Sequence, residues 1–194
     1  MRFKGILDPI AAFFNRLGLM PNTMTILGLV GNIIGAVFIS QGQFVVGGIM
    51  ILVMGPVDAL DGTMARLRGM AGKFGAFVDS VTDRYSELVI FAGMMYYYVI
   101  HAETLAAMLV FFAAAGSVLV SYIRSRGQSL GWDTKVGILT RMERYLVLAP
   151  ALVLYFISPL ITLIGVAIIA VLANVTAIQR ILDIRRQAYN DQTK

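Results

Sequence analysis

All 16 lysines and arginines fall on one set of alternating connections between apolar runs, or on the helix ends beside them. Six such runs are long enough, or nearly so, to cross a bilayer, which takes about 20 residues. They cover 22–40, 44–66, 75–100, 104–124, 145–157 and 159–180. The connections near 41–43, 101–103 and 158–159 hold no Lys or Arg. The N-terminal segment, the 67–74 and 125–144 loops and the tail hold the basic residues, with Arg66, Arg84, Arg124 and Arg180 at adjoining helix ends. A soluble helical protein has no reason to sort charge in this way, whereas a membrane protein retains Lys and Arg on the cytoplasmic side. The expected fold is therefore an all-α integral membrane protein with six transmembrane helices and both termini cytoplasmic, multi-pass in the cell (inner) membrane. A hydrophobic fraction of 58% agrees with this. The fifth run is short unless Arg141 and Glu143 belong to its helix.

Residues 1–20 precede the first run. Asp8-Pro9 reads as a helix start, and Ile10, Phe13, Phe14 and Leu17 recur at helical spacing. This predicts an amphipathic helix in the membrane interface or a helix packed on the bundle. No signal-peptide cleavage pattern follows it. The expected organisation is an interfacial helix over 1–20, one membrane domain over 21–182 and a cytoplasmic tail over 183–194, read as a frayed, solvated helix end.

Against this apolar background stands DALDGTMARLRGMAGKFGAFVDSVTD, residues 58–83. A charge at the centre of a membrane helix costs roughly 2.5–3.5 kcal/mol, so four acids in one stretch call for a functional reason. Asp58 and Asp61 are three apart, Asp79 and Asp83 four apart, so each pair shares a helix face. A turn near Met70 brings the pairs level, slightly inside the cytoplasmic boundary. Converging carboxylates repel, and a divalent cation relieves that. Oxygen-only ligation selects a hard ion: Mg²⁺, with Mn²⁺ or Ca²⁺ as alternatives. Four acids suffice for two ions, an arrangement suited to phosphates. Gly62 and Gly75 are costly inside helices and fit the close approach of a ligand or a neighbouring helix. Arg66 can reach phosphate oxygens. The bland reading is that the acids pair with Arg66, Arg68, Lys73 and Arg84. With no cysteine and His101 as the only histidine, thiolate chemistry and a multi-histidine metal site are excluded.

The stretch fits D-x2-D-G-x2-A-R-x8-G-x3-D-x3-D through Asp58, Asp61, Gly62, Ala65, Arg66, Gly75, Asp79 and Asp83. This resembles the signature of the CDP-alcohol phosphotransferases, a family of six-helix membrane enzymes. The resemblance implies transfer of a phosphatidyl-type group from a CDP-diacylglycerol-type lipid to an alcohol, with release of CMP. It implies a pair of Mg²⁺ ions (or Mn²⁺) on Asp58, Asp61 and Asp79. Asp83 is then the base that takes the acceptor's proton, with a share in metal binding. Asp61, Gly62, Ala65, Arg66 and Gly75 line the CDP site. Pro21-Asn22 and Thr25 resemble a segment that approaches the nucleotide, and also read as a simple helix cap.

The stretch SYIRSRGQSLGWDTKVGILTRMERYL resembles bacterial phosphatidylinositol-phosphate synthases through Ser121, Tyr122, Arg124, Arg126, Arg141, Glu143 and Arg144, joined by Gln179-Arg180. The chain departs from their pattern at Ser125 and Gly127-Gln128. The resemblance implies an acceptor phosphate held by Arg124, Arg126, Arg144 and Arg180, the acceptor being a phosphorylated polyol, myo-inositol phosphate first. For each arginine, positive-inside anchoring or lipid contact is the alternative. A phosphatidylglycerophosphate synthase and a non-lipid CDP-alcohol transferase are the other enzymatic readings. A divalent-cation transporter is the reading from another class, weakened by the absence of a repeat and by acids near one side rather than the midplane. The expected partners are the lipid donor, the acceptor, membrane lipids and a second copy as a homodimer, with no nucleic acid. The active site is expected on the cytoplasmic side. His101 reads as interfacial, and Trp132 as a loop-packing or interface residue.

Overall fold

The structure, a computed structural model, describes residues 4–70 and 72–192. Those residues form seven α-helices and no strand: α1 (Lys4–Arg16), α2 (Pro21–Ser40), α3 (Phe44–Leu67), α4 (Lys73–Ile100), α5 (Thr104–Ser129), α6 (Arg141–Val153) and α7 (Pro159–Gln192). A 3₁₀ turn, Leu154–Phe156, extends α6. Four helical stretches are long and apolar enough to cross a membrane: Pro21–Ser40, Phe44–Leu67, Thr104–Ser129 and Pro159–Asp191. The expectation of six meets that measure at four of its runs. In α4 the length is ample, but Asp79, Asp83, Arg84 and Glu87 interrupt its apolar character. In α6 only 13 residues are helical, even with Arg141 and Glu143 included.

The chain divides into two compact units, Met1–Gly93 and Met94–Lys194. In the first, α2 presents small residues to its neighbours. A Cβ on Gly31 would overlap Met54 of α3, and one on Gly35 would stand 3.2 Å from the Gly47 carbonyl. A Cβ on Gly93 of α4 would overlap the Ala36 carbonyl. The large aliphatics of α2, among them Ile26, Leu27 and Val37, are exposed. Small residues inside and bulky apolar residues outside is how helices pack when lipid is the solvent.

Helix α1 starts at Lys4, a turn before the expected start at Asp8-Pro9, so Pro9 lies within it. Its apolar residues part into two sets. Ala11 is fully buried in a cluster with Met24, Leu60 and Met64, and Phe14 packs against them. Phe13 and Leu17 are each 59% exposed. Arg68 fastens this end by donating to the Asn15 carbonyl at 2.9 Å.

In the second unit α5 packs along α7. Asn174 fixes the crossing by donating from Nδ2 to the carbonyls of Phe112 (3.0 Å) and Ala170 (2.7 Å). The 130–140 segment folds against α7. Thr176 Oγ1 accepts from the N–H groups of Ile138 (3.2 Å) and Leu139 (3.1 Å). Gly137, at φ +132°, passes so close to Thr176 that a Cβ would overlap it. The last helix continues past 183 as regular helix to Gln192. Its end is tied to the same segment: Trp132 Nε1 donates to Asp191 at 2.7 Å and Gln187 to the Asp133 carbonyl at 2.9 Å. Partners in the loop therefore hold what reads in the sequence as a frayed tail.

Candidate active site

The four aspartates lie on α3 and α4 at matched positions. Asp61 stands six residues before the end of α3, and Asp79 six residues after the start of α4. Asp61 is buried, and Asp58, Asp79 and Asp83 are half-buried. Both oxygens of Asp61 are engaged. Thr25 Oγ1 donates to Oδ2 at 2.5 Å, and the Gly62 N–H points to Oδ1. The carboxylate of Asp58 lies across Gly28 of α2, where a Cβ would overlap Oδ1 and stand 3.2 Å from Cγ. Among the described residues, no three carboxylate or histidine side chains stand close enough together to hold one ion. The donor set is nonetheless all oxygen and anionic, the chemistry a hard divalent cation requires.

The two glycines of the motif face open space. Among the described residues, nothing lies within 4 Å of a Cβ built on Gly75, and near Gly62 only Arg66 Nη1 does, at 3.5 Å. Neither glycine is held against a neighbouring helix among the described residues. Arg66 is exposed and folds back along α3, donating to Thr63 Oγ1 at 2.9 Å. Its guanidinium thus hangs over Gly62. Arg84 donates to the Ser80 carbonyl and Arg68 to Asn15, so backbone carbonyls take part of the charge that the bland reading assigns to the acids.

The arginines of the second unit differ among themselves. Arg180 is 4% exposed and donates from Nε to the Val136 carbonyl (3.0 Å) and from Nη1 to the Val120 carbonyl (2.7 Å). Arg144 is 2% exposed, with a long contact of 3.4 Å to the Leu139 carbonyl. Arg124 stands 3.8 Å from Asp133 and has a buried Nε with no hydrogen-bond acceptor among the described residues. Arg124, Arg144 and Asp133 are all within electrostatic reach of Arg180. Arg126 points elsewhere, exposed and contacting Ser129 Oγ at 3.4 Å. The structure therefore gathers Arg124, Arg144 and Arg180 and leaves Arg126 aside. A hydrogen bond from Gln128, helped by Lys135 and Arg124, holds the exposed Asp133 carboxyl below its ordinary range.

Sequence reasoning does not reach two of these features. The signal for Gly28 is its small-residue spacing with Gly31 and Gly35; the Thr25–Asp61 bond has none beyond the Pro-Asn-x2-Thr resemblance.

Comparison with known proteins gives a consistent result. The family model described as CDP-alcohol phosphatidyltransferase matches residues 18–179. A phosphatidylinositol phosphate synthase of Streptomyces avermitilis is 38% identical, over 96% of this chain and 80% of its own. An archaetidylinositol phosphate synthase of Pyrococcus horikoshii is 33% identical, over 96% of this chain and 94% of its own. Two crystal structures of the phosphatidylinositol phosphate synthase of Mycobacterium tuberculosis superpose on the chain at 28% identity. The form with CDP-DAG bound gives a TM-score of 0.86 over 92% of this chain and 93% of that one. The form in complex with manganese and citrate gives 0.87 over 92% and 88%. With the acid motif intact and the likeness running almost end to end, the chain belongs to the CDP-alcohol phosphatidyltransferase family.

Proposed function

We propose that this chain transfers the phosphatidyl-type group of a CDP-linked lipid to a hydroxyl of a phosphorylated polyol, myo-inositol phosphate, and releases CMP. One observation carries the reading: the likeness to inositol phosphate synthases spans the acid motif and the arginine cluster alike. The named relatives differ in the lipid, phosphatidyl in one and archaetidyl in the other, and agree in the acceptor. The acceptor is thus the better supported half of the assignment.

The reaction forms a bond between the acceptor oxygen and the phosphorus next to the lipid. The bond from that phosphorus to the bridging oxygen breaks, and CMP leaves with the electron pair. Asp83 takes the proton of the attacking hydroxyl, a general-base role open to a carboxylate in hydrogen-bond reach. A hard divalent cation bound to Asp58, Asp61, Asp79 and Asp83, as two Mg²⁺ ions or Mn²⁺, would neutralise the diphosphate and stabilise the leaving oxyanion. The manganese complex of the mycobacterial relative supports dependence on a divalent metal. Gly62 and Gly75 admit the diphosphate to the helix backbone, with Ala65 beside them, and Arg66 supplies a planar donor for its oxygens. Arg124, whose buried Nε makes only the long ion pair to Asp133 and no hydrogen bond among the described residues, and Arg144 are the main holders of the acceptor phosphate. Arg180 sets their positions, and Arg126 contributes charge from the rim.

The same reading includes six membrane crossings, with α4 and α6 carried by their neighbours, and α1 lying in the interface on Phe13 and Leu17. It keeps residues 21–182 as one membrane domain, both termini and the active site on the cytoplasmic side of the inner membrane, and assembly as a homodimer. The test is CMP release in nanodiscs containing CDP-diacylglycerol and Mg²⁺. Release should require inositol phosphate and should be absent with inositol or serine. Equal release with glycerol phosphate would move the chain to the glycerophosphate branch.

A further inference from the structure

Thr25 and Gly28 are three residues apart on α2, and Asp58 and Asp61 three apart on α3, so each pair shares one helix face. The two faces meet in antiparallel register. Thr25 lies against Asp61 and Gly28 against Asp58. Thr25 and Asp61 are 5% and 6% exposed, so the bond between them is shielded from water. A hydroxyl has one proton, and two acceptors compete for it: Asp61 Oδ2 at 2.5 Å and the Pro21 carbonyl at 3.3 Å. The shorter, charge-assisted bond takes it.

We propose that this face of α2 is the positioning surface for the first two acids. Thr25 sets the plane of the Asp61 carboxylate, and Gly28 leaves the volume that the Asp58 carboxylate occupies. The proposal rests on the metal-site reading above and adds to it two residues outside the acid motif. Rotation of a carboxylate about its last bond is broad, so an aspartate alone does not define where its oxygens point. The Gly62 N–H on Oδ1 and the Thr25 hydroxyl on Oδ2 together remove that freedom, as outer partners do for ligating carboxylates generally. At Gly28 any side chain would push Asp58 away from α2 and out of line with Asp61.

The experiment is direct Mn²⁺ binding to the purified full chain in detergent, followed by the loss of the free-ion spin-resonance signal, without CDP-lipid. Thr25→Val should weaken binding about 10- to 100-fold, the range for loss of an outer partner. Thr25→Ser, which keeps the hydroxyl, should restore it. Gly28→Ala should weaken binding while the protein remains folded by its thermal transition. In an Asp61→Asn background, Thr25→Val should have little further effect, because the two act as one unit. Wild-type Mn²⁺ affinity in Thr25→Val, or equal loss in Thr25→Ser and Thr25→Val, would overturn the role of Thr25. Wild-type affinity in Gly28→Ala would overturn that of Gly28, and this variant carries the test if Thr25→Val does not fold. Absence of Mn²⁺ binding by the wild-type chain would defeat the metal-site reading and the positioning role together. Binding without CMP release would defeat only the transferase reading.

Discussion

The two units use their charged side chains in different ways. In Met1–Gly93 the acids stand on helix faces beside open glycines, and Arg66 is exposed above Gly62. In Met94–Lys194 the most buried charges, Arg144 and Arg180, reach backbone carbonyls, Arg180 by two bonds of ordinary length. The first arrangement sets the acids on two helices at matched positions, Asp61 held by Thr25 and Gly62. In the second, Arg180 fastens the 130–140 segment to α5 and α7. Removing an acid should therefore stop the chemistry without unfolding the first unit, and removing Arg180 should loosen the second.

Asp58→Ala and Asp79→Ala sharpen the contrast most. Each should cut CMP release by about 10²- to 10³-fold, on the scale of losing a principal electrostatic stabiliser, with little change in thermal midpoint. Near-normal turnover in either would break the first half of the comparison. Arg180→Ala should act on stability instead. It removes two hydrogen bonds from a charged donor, each worth about 1.5–3 kcal/mol, and strands two carbonyls. A loss of roughly 3–6 kcal/mol is expected on that basis, read by denaturant or thermal unfolding in detergent. An unchanged midpoint with a raised acceptor KM would return Arg180 to ligand binding.

Asp83→Asn keeps the shape and removes the base. It should bind CDP-lipid normally and turn over about 10²-fold more slowly, the lower end of general-base contributions. Loss of donor binding would make Asp83 chiefly a metal ligand. Arg124→Ala should raise the acceptor KM roughly 10- to 150-fold, the equivalent of one charge-assisted bond, and leave the donor KM unchanged. The smallest effect concerns Asp133. Its folded pKa is depressed, so its contribution to stability is full above its ordinary value of 3.8 and is lost as pH falls through the lower folded value. Gln128→Ala removes the largest cause and should bring its titration back toward 3.8, measurable by NMR.

Much of the fold was legible because lipid imposes few choices. Four apolar runs became long apolar helices, and the acid motif landed on two helices at matched positions. The exceptions have physical reasons. The motif acids on α4 lower its apolar character. Arg141 and Glu143 do enter α6, as the short fifth run requires, yet the helix still stops at Val153. The last turns of α7 are tied to the 130–140 segment by Trp132 donating to Asp191 and by Gln187 donating to the Asp133 carbonyl, contacts between residues more than 50 positions apart. The same holds for Arg180. Its basic character and helix-end position are visible in the sequence, but its acceptors are main-chain carbonyls of Val120 and Val136, which no side-chain pattern announces. Thr25 illustrates a further limit, since a cap and a carboxylate partner look alike until α2 and α3 are placed together.

The assignment of a phosphorylated polyol acceptor is the central claim, and a competition reaction tests it most directly. The purified chain in nanodiscs is given CDP-diacylglycerol, Mg²⁺ and equal concentrations of inositol phosphate, inositol, glycerol phosphate and serine, and the lipid products are weighed by mass spectrometry. The expected result is phosphatidylinositol phosphate as the dominant product, formed one for one with CMP. Phosphatidylinositol or phosphatidylserine in comparable yield would contradict it, and would leave the gathered arginines as anchors of the fold and of the membrane surface.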